Sequence, residues 1–164
     1  MNPLPASSEL WFAKHRAEAV VTLVTNENVK GCFFTAAGNA RRDGAERISD
    51  LLNSESGFFP FEVQTEGGAA TVLYNRAHVI AVRVFDDEAR QDPGYAVARR
   101  RAVSILLSNS QRVDGEVRVY RPEGRDRVSD WTRQPEVFRY VEAADATYIV
   151  NAAHIVAVTE VSGS

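Results

Sequence analysis

Apolar residues recur along this chain in short alternating runs, separated by clusters of Gly, Asn and Asp. Val20–Thr25 and Lys30–Thr35 each fit a strand, with Asn26-Glu-Asn28 as the turn between them and Gly31 marking a bend. Arg47–Asn53 changes to helical spacing, with Ile48, Leu51 and Leu52 at i, i+3 and i+4. Phe59, Phe61 and Val63 then alternate with Pro60 and Glu62, and a proline suits an edge strand. Ala70–Tyr74 and His78–Val84 follow, joined by Asn75-Arg-Ala. The predicted order is strand, strand, short helix, strand, strand, strand.

The same order then returns. Val103–Ser108 and Gly115–Tyr120 read as strands, and Arg127–Thr132 as a helix with Val128 and Trp131 on its apolar side. Val137–Glu142, Thr147–Val150 and His154–Val158 read as the last three strands. Residues 1–19 are expected to be a tail and a helix, because Ser7 or Ser8 can cap a run that continues to Glu18. Residues 86–102 are expected to be an acidic linker, ending in a helical turn over Tyr95–Arg101, and 161–164 a tail.

Direct comparison shows that the two halves are copies. Asn75-Arg-Ala-His78-Val-Ile-Ala-Val82 lies over Asn151-Ala-Ala-His154-Ile-Val-Ala-Val158 at an offset of 76 residues. Five of these eight positions are identical, and two more exchange Val with Ile. Arg47-Ile-Ser-Asp50 lies over Arg127-Val-Ser-Asp130 at an offset of 80, and Val29-Lys-Gly31 over Val113-Asp-Gly115 at 84. Three matching motifs in the same order define an internal duplication. The expected architecture is mainly β with short helices, in two homologous repeats over 20–85 and 103–160. A chain of about 60 residues buries only roughly 60% of its unfolded surface. Each repeat therefore needs a neighbour, either the other repeat or another subunit.

Composition narrows the function classes. The net charge of −3 lacks the basic excess of a whole-molecule nucleic-acid surface. All basic residues but Lys14 and Lys30 are arginine. Cys32 is the single cysteine, which excludes an internal disulfide and a cysteine-based metal site. The N-terminus lacks the basic and apolar regions of a signal peptide, and no apolar run reaches the ~20 residues of a membrane span. A cytoplasmic location is the expectation.

The candidate chemistry is sparse. His78 and His154 hold equivalent places, which makes a symmetric ligand site conceivable; the simpler role is a hydrogen bond at the start of a strand. Ser49-Asp50 and Ser129-Asp130 suggest a nucleophile and partner, but adjacent helical residues do not face each other. Arg47 with Asp50, and Arg127 with Asp130, can pair on one face, and each serine can serve a first-turn amide. Asn75 and Asn151 suit turns. Cys32 suits a small core position. Arg99-Arg100-Arg101 is the one basic run, able to meet phosphate or RNA or to pair with the Asp86-Asp-Glu88 acids. No phosphate-cradling glycine loop, metalloprotease motif or nucleophile elbow occurs. No cofactor or catalytic residue is predicted.

Val21-Thr-Leu23…Val29-Lys-Gly31 and Val72-Leu-Tyr74-Asn-Arg-Ala-His78-Val-Ile-Ala-Val82 resemble the two signatures of the Sm-like barrels, which include the bacterial Hfq-type RNA chaperones. The resemblance implies small Sm-like or SH3-like barrels, here in tandem. A helix stands where that family has middle strands, and the Tyr-Lys-His RNA signature is absent, so no RNA-binding residue is carried over. The Arg-(Val/Ile)-Ser-Asp…Asn-x-x-His-Ile pattern also resembles a bacterial domain that occurs singly or in pairs. The function expected from these features is a non-enzymatic module that self-associates or binds a protein partner through strand edges and aromatics: Trp11, Phe12, Phe58 and Phe59. The alternative is an Sm-like protein that binds RNA or a nucleotide through Arg99–Arg101.

Overall fold

The computed structural model describes residues 14–36, 46–120, 124 and 127–162. Ten strands dominate: β1 (Lys14–Leu23), β2 (Asn28–Ala36), β3 (Phe58–Thr65), β4 (Gly68–Asn75), β5 (Val79–Val84), β6 (Arg99–Leu107), β7 (Arg112–Val119), β8 (Phe138–Ala143), β9 (Thr147–Asn151) and β10 (Ile155–Glu160). Helix α1 (Ile48–Ser54) lies between β2 and β3, and α2 (Val128–Thr132) between β7 and β8. Fold class is therefore mainly β with short helices.

The strands form one antiparallel sheet in the order β10-β6-β7-β8-β9-β5-β1-β2-β3-β4. The first five strands read β5-β1-β2-β3-β4 and the last five β10-β6-β7-β8-β9. Local details match at the sequence offsets. Asn26 and Ser110 both take left-handed φ, at 68° and 70°. The Val24 N–H donates to the His78 carbonyl, and the Ser108 N–H to the His154 carbonyl. One-turn 3-10 helices cover Arg76–His78 and Ala152–His154, each opened by an asparagine whose side chain accepts from the N–H two residues on.

Gly31, read from the sequence as a bend, and its counterpart Gly115 are glycine for a steric reason. A Cβ on Gly31 would collide with the Glu62 carbonyl oxygen, and one on Gly115 would stand 2.5 Å from that of Glu142. Only glycine lets β2 and β7 approach β3 and β8 this closely.

Two cores result. One gathers Ile48, Leu52, Phe33, Phe59, Phe61, Val79 and Val82; the other gathers Val103, Ile105, Val117, Val128, Trp131 and Val141. They exchange residues across the middle of the sheet. Phe138 and Ile149, from the second half, lie in the first core, whereas Ile80 and Ala81 lie in the second.

The chain departs from the sequence reading in several places. Lys14–Glu18 belongs to β1, not to a helix. Ala17, Ala19, Val21 and Leu23 are buried at a period of two, and β1 is flanked by both β2 and β5. Those partners override the helical propensity of the alanines. Arg99–Arg101 likewise opens β6, paired against β7, instead of ending a linker. The acidic segment is packed as well: Glu88–Gln91 forms a 3-10 turn with Glu88 and Ala89 buried. Trp11 and Phe12 lie outside the described residues.

Candidate functional site

The join between the halves carries an extended polar network among the described residues. β5 meets β9 with Ala81 opposite Val150, Val82 opposite Ile149 and Val84 opposite Thr147. Helix α1 reaches over this join to β8. The Asn53 side chain donates to the Phe138 carbonyl and accepts from the Phe138 N–H, both at 2.9 Å. Beneath it runs a hydrogen-bond chain. Tyr140 Oη donates to Glu88 Oε1 at 2.8 Å and, with its own proton so used, accepts from Ser49 Oγ at 2.6 Å. The Ile48 N–H donates to the other Glu88 oxygen at 3.1 Å.

Arg47 closes the same region. Its guanidinium bonds both oxygens of Asp50, pairs with Asp92 and lies 5.8 Å from the Tyr140 ring centroid. Burial opposes the Arg47 charge, but the Asp50 and Asp92 bonds outweigh it and raise its pKa. Burial pushes the Glu88 carboxyl above the ordinary carboxylate range, against the pull of its hydrogen bonds and of Arg47. Burial and then the Glu88 charge push the Tyr140 hydroxyl up in turn.

An open cleft of about 750 Å³ lies beside this network, between α1, the 89–95 segment, β8 and α2. On its wall Arg118 donates to Glu142 Oε1 and to the Tyr95 carbonyl, both at 2.8 Å, with its guanidinium 3.5 Å from the Tyr95 ring centroid. Tyr95 Oη also donates to Glu142, at 2.6 Å. Arg47 and Arg118 therefore meet the cleft already joined to carboxylates, and Arg139, also on its wall, is held by the main-chain carbonyls of Trp131, Thr132, Gln134 and Glu136.

The outer edges of the sheet, β4 and β10, contrast with that join. Phe58 on β3 and Leu73 on β4 are 61% and 64% exposed, and Val156 on β10 is 63% exposed. Phe138, Ile149 and Ile80, their counterparts at the inner join, are buried.

The candidate residues from the sequence are scattered. Phe58 is a surface residue, but Phe59 is not: it is fully buried and stacks on Phe33 at 5.3 Å, because its β3 side chain alternates inward. Arg100 faces Glu116 and Arg101 faces Glu160, each at 3.9 Å, while Arg99 lies opposite Val119 in β6. The histidines have different surroundings. His154 Nε2 donates to the Ala77 carbonyl at 2.8 Å and its Nδ1 meets Ser108 Oγ at 2.9 Å; the His78 side chain is exposed. Asp50 and Asp130 accept from the N–H of Arg47 and Arg127 at 2.9 and 3.0 Å, so the aspartates and not the serines cap the helices. Asn75 and Asn151 accept from the N–H of Ala77 and Ala153. Asn151 also donates to the Val79 carbonyl across the join. Cys32 is half-buried on β2.

In the sequence Glu88 stands out only as one of the acids that can pair with Arg99–Arg101, and Tyr140 and Asn53 are not singled out. They are far apart along the chain, and no periodicity connects them. Among the described residues no cluster of three His, Cys, Asp or Glu side chains is placed to hold a metal ion, and no helix is long and apolar enough to cross a membrane. Compared with known proteins, the chain matches no family model, no curated protein and no solved structure.

Proposed function

We propose that this protein is a non-enzymatic assembly module: two small Sm-like or SH3-like barrels in tandem, which associate with further copies through their sheet edges. The supporting observation is the contrast between inner and outer edges. Inside the chain, β5 of one half and β9 of the other join edge to edge and bury Ile80, Val82 and Ile149. The equivalent strands at the outside, β10 and β4, end the sheet with Val156 and Leu73 exposed. Strands that, among the described residues, pair on one side only are ready templates for strand addition along the other, and exposed apolar residues there favour it. A second copy carries both complementary edges.

The experiment is light scattering over a range of protein concentrations at low and high salt. A mass above the 18.1 kDa of one chain, rising with concentration and retained in high salt, is the expected result. A constant 18.1 kDa would overturn the reading. An assembly that dissolves with salt would point to charge instead of apolar edges.

A further inference from the structure

We infer that Phe58 and Leu73 of one copy complete an unfinished second core in another copy. This rests on the self-assembly proposed above and names the residues that carry it. The first core receives two large side chains from the second half, Phe138 and Ile149, which pack with Ile48, Val79 and Val82. At the offsets of 80 and 76 residues, the counterparts of these donors are Phe58 and Leu73. The strand pairing supports that equivalence: Phe58 lies opposite Asn75, as Phe138 lies opposite Asn151.

The receiving side is also recognisable. Val128, Ile155 and Val158 stand where the first core has Ile48, Val79 and Val82. Val79 and Val82 are fully buried, but Ile155 and Val158 are only partly buried against the second core. The second core thus has an open end at the position where the first core is filled. The same chain displays, at its opposite edge, two large apolar side chains in the position of the missing filling.

Shifting the inner pairing by 76 residues gives the register between copies. β4 lies antiparallel to β10, with Tyr74 opposite Ala157, Leu73 opposite Val158 and Thr71 opposite Glu160. Val156, the counterpart of Ile80, passes in the other direction toward Val72 and Tyr74. The contact is heterologous, so each added copy still offers one free donor edge and one free acceptor edge, and growth ends in a ring or a filament. It is also weaker than the inner join. Arg133 stands in the place of Asn53 and Pro60 in that of Tyr140, so the amide bracket and the Ser-Tyr-Glu chain are not repeated.

Two variants test this, both altering exposed side chains so that folding is preserved. The donor variant combines Phe58→Ser with Leu73→Asp; the acceptor variant is Val156→Asp. Wild type is expected to assemble, and each variant alone to stay at 18.1 kDa by light scattering. An equimolar mixture is expected to stop at two chains, because one intact donor meets one intact acceptor. If wild type assembles and the donor variant assembles equally well, core completion is wrong while the self-assembly reading stands. If the acceptor variant forms dimers alone, or the mixture stays monomeric, the head-to-tail contact is wrong. A wild type that is monomeric at every concentration overturns both.

Discussion

The side-chain amide of Asn53 forms a closed two-bond ring with the main chain of Phe138, donating to its carbonyl and accepting from its N–H at 2.9 Å each. Residues 85 positions apart are thereby held as a strand neighbour would hold them. The helix of the first half serves as a cap on a strand of the second. Replacement by alanine leaves both main-chain groups of Phe138 without this partner. Asn53→Ala should lower stability by roughly 1–2 kcal/mol. Asn53→Asp, which keeps the acceptor and loses the donor, should fall at least as far, because its carboxylate faces the Phe138 carbonyl. Urea unfolding midpoints measure both.

Glu88 makes the stability depend on pH in a definite direction. A carboxyl whose pKa rises on folding supports the fold most when protonated. Its contribution is complete below the ordinary value of 4.5 and is lost as pH rises through the raised folded value. Glu88→Gln cannot ionise. The stability of this variant relative to wild type should therefore increase from pH 4.5 upward, and thermal melts of both proteins across that range measure the difference. A difference independent of pH would contradict the burial of an ionising group at this place.

Tyr140 links Ser49 to Glu88, so its hydroxyl carries two hydrogen bonds. Tyr140→Phe keeps the ring and removes both. The expected cost is about 1–3 kcal/mol, since the buried Glu88 loses a donor and Ser49 an acceptor. Combined with Glu88→Gln, the loss should be smaller than the sum of the separate effects, because the two residues share one network. A double-mutant cycle reads this coupling.

Gly31 and Gly115 should both reject alanine, and unequally. The added methyl at Gly31 meets both the Glu62 carbonyl oxygen and the Phe61 ring, whereas at Gly115 it meets main-chain atoms of Glu142 and Ala143. The closer approach is at Gly31. Gly31→Ala should cost about 3 kcal/mol or more, and Gly115→Ala less. Comparison of melting temperatures tests the order.

The sequence by itself determined the motifs that recur in the same order in the two halves, most of the strands and both short helices, the turn asparagines and the need for glycine at position 31. These are local properties. Alternation at Phe59-Pro-Phe61-Glu-Val63, helical spacing at Ile48 and Leu51-Leu52, and the absence of a Cβ at Gly31 act over a few residues and are visible in the order of side chains. The Arg47–Asp50 pair was visible for the same reason, since three residues on a helix suffice to form it.

Tertiary structure decided the rest. Lys14–Glu18 is rich in helix formers (Lys14, Arg16, Ala17, Glu18), yet pairing with β2 draws it into the sheet. Asp86-Asp-Glu88 has the composition of a solvated linker, yet Glu88 is buried because α1 and β8 bring a main-chain N–H and a tyrosine hydroxyl to it. Phe58 and Phe59 are neighbours of identical chemistry. A strand places one in a core and the other on the surface, and only the sheet's neighbours decide which face is inside. The same rule separates Ile149 from Leu73: positions matched at the 76-residue offset, one buried because a strand pairs beside it and the other exposed because the sheet ends there among the described residues.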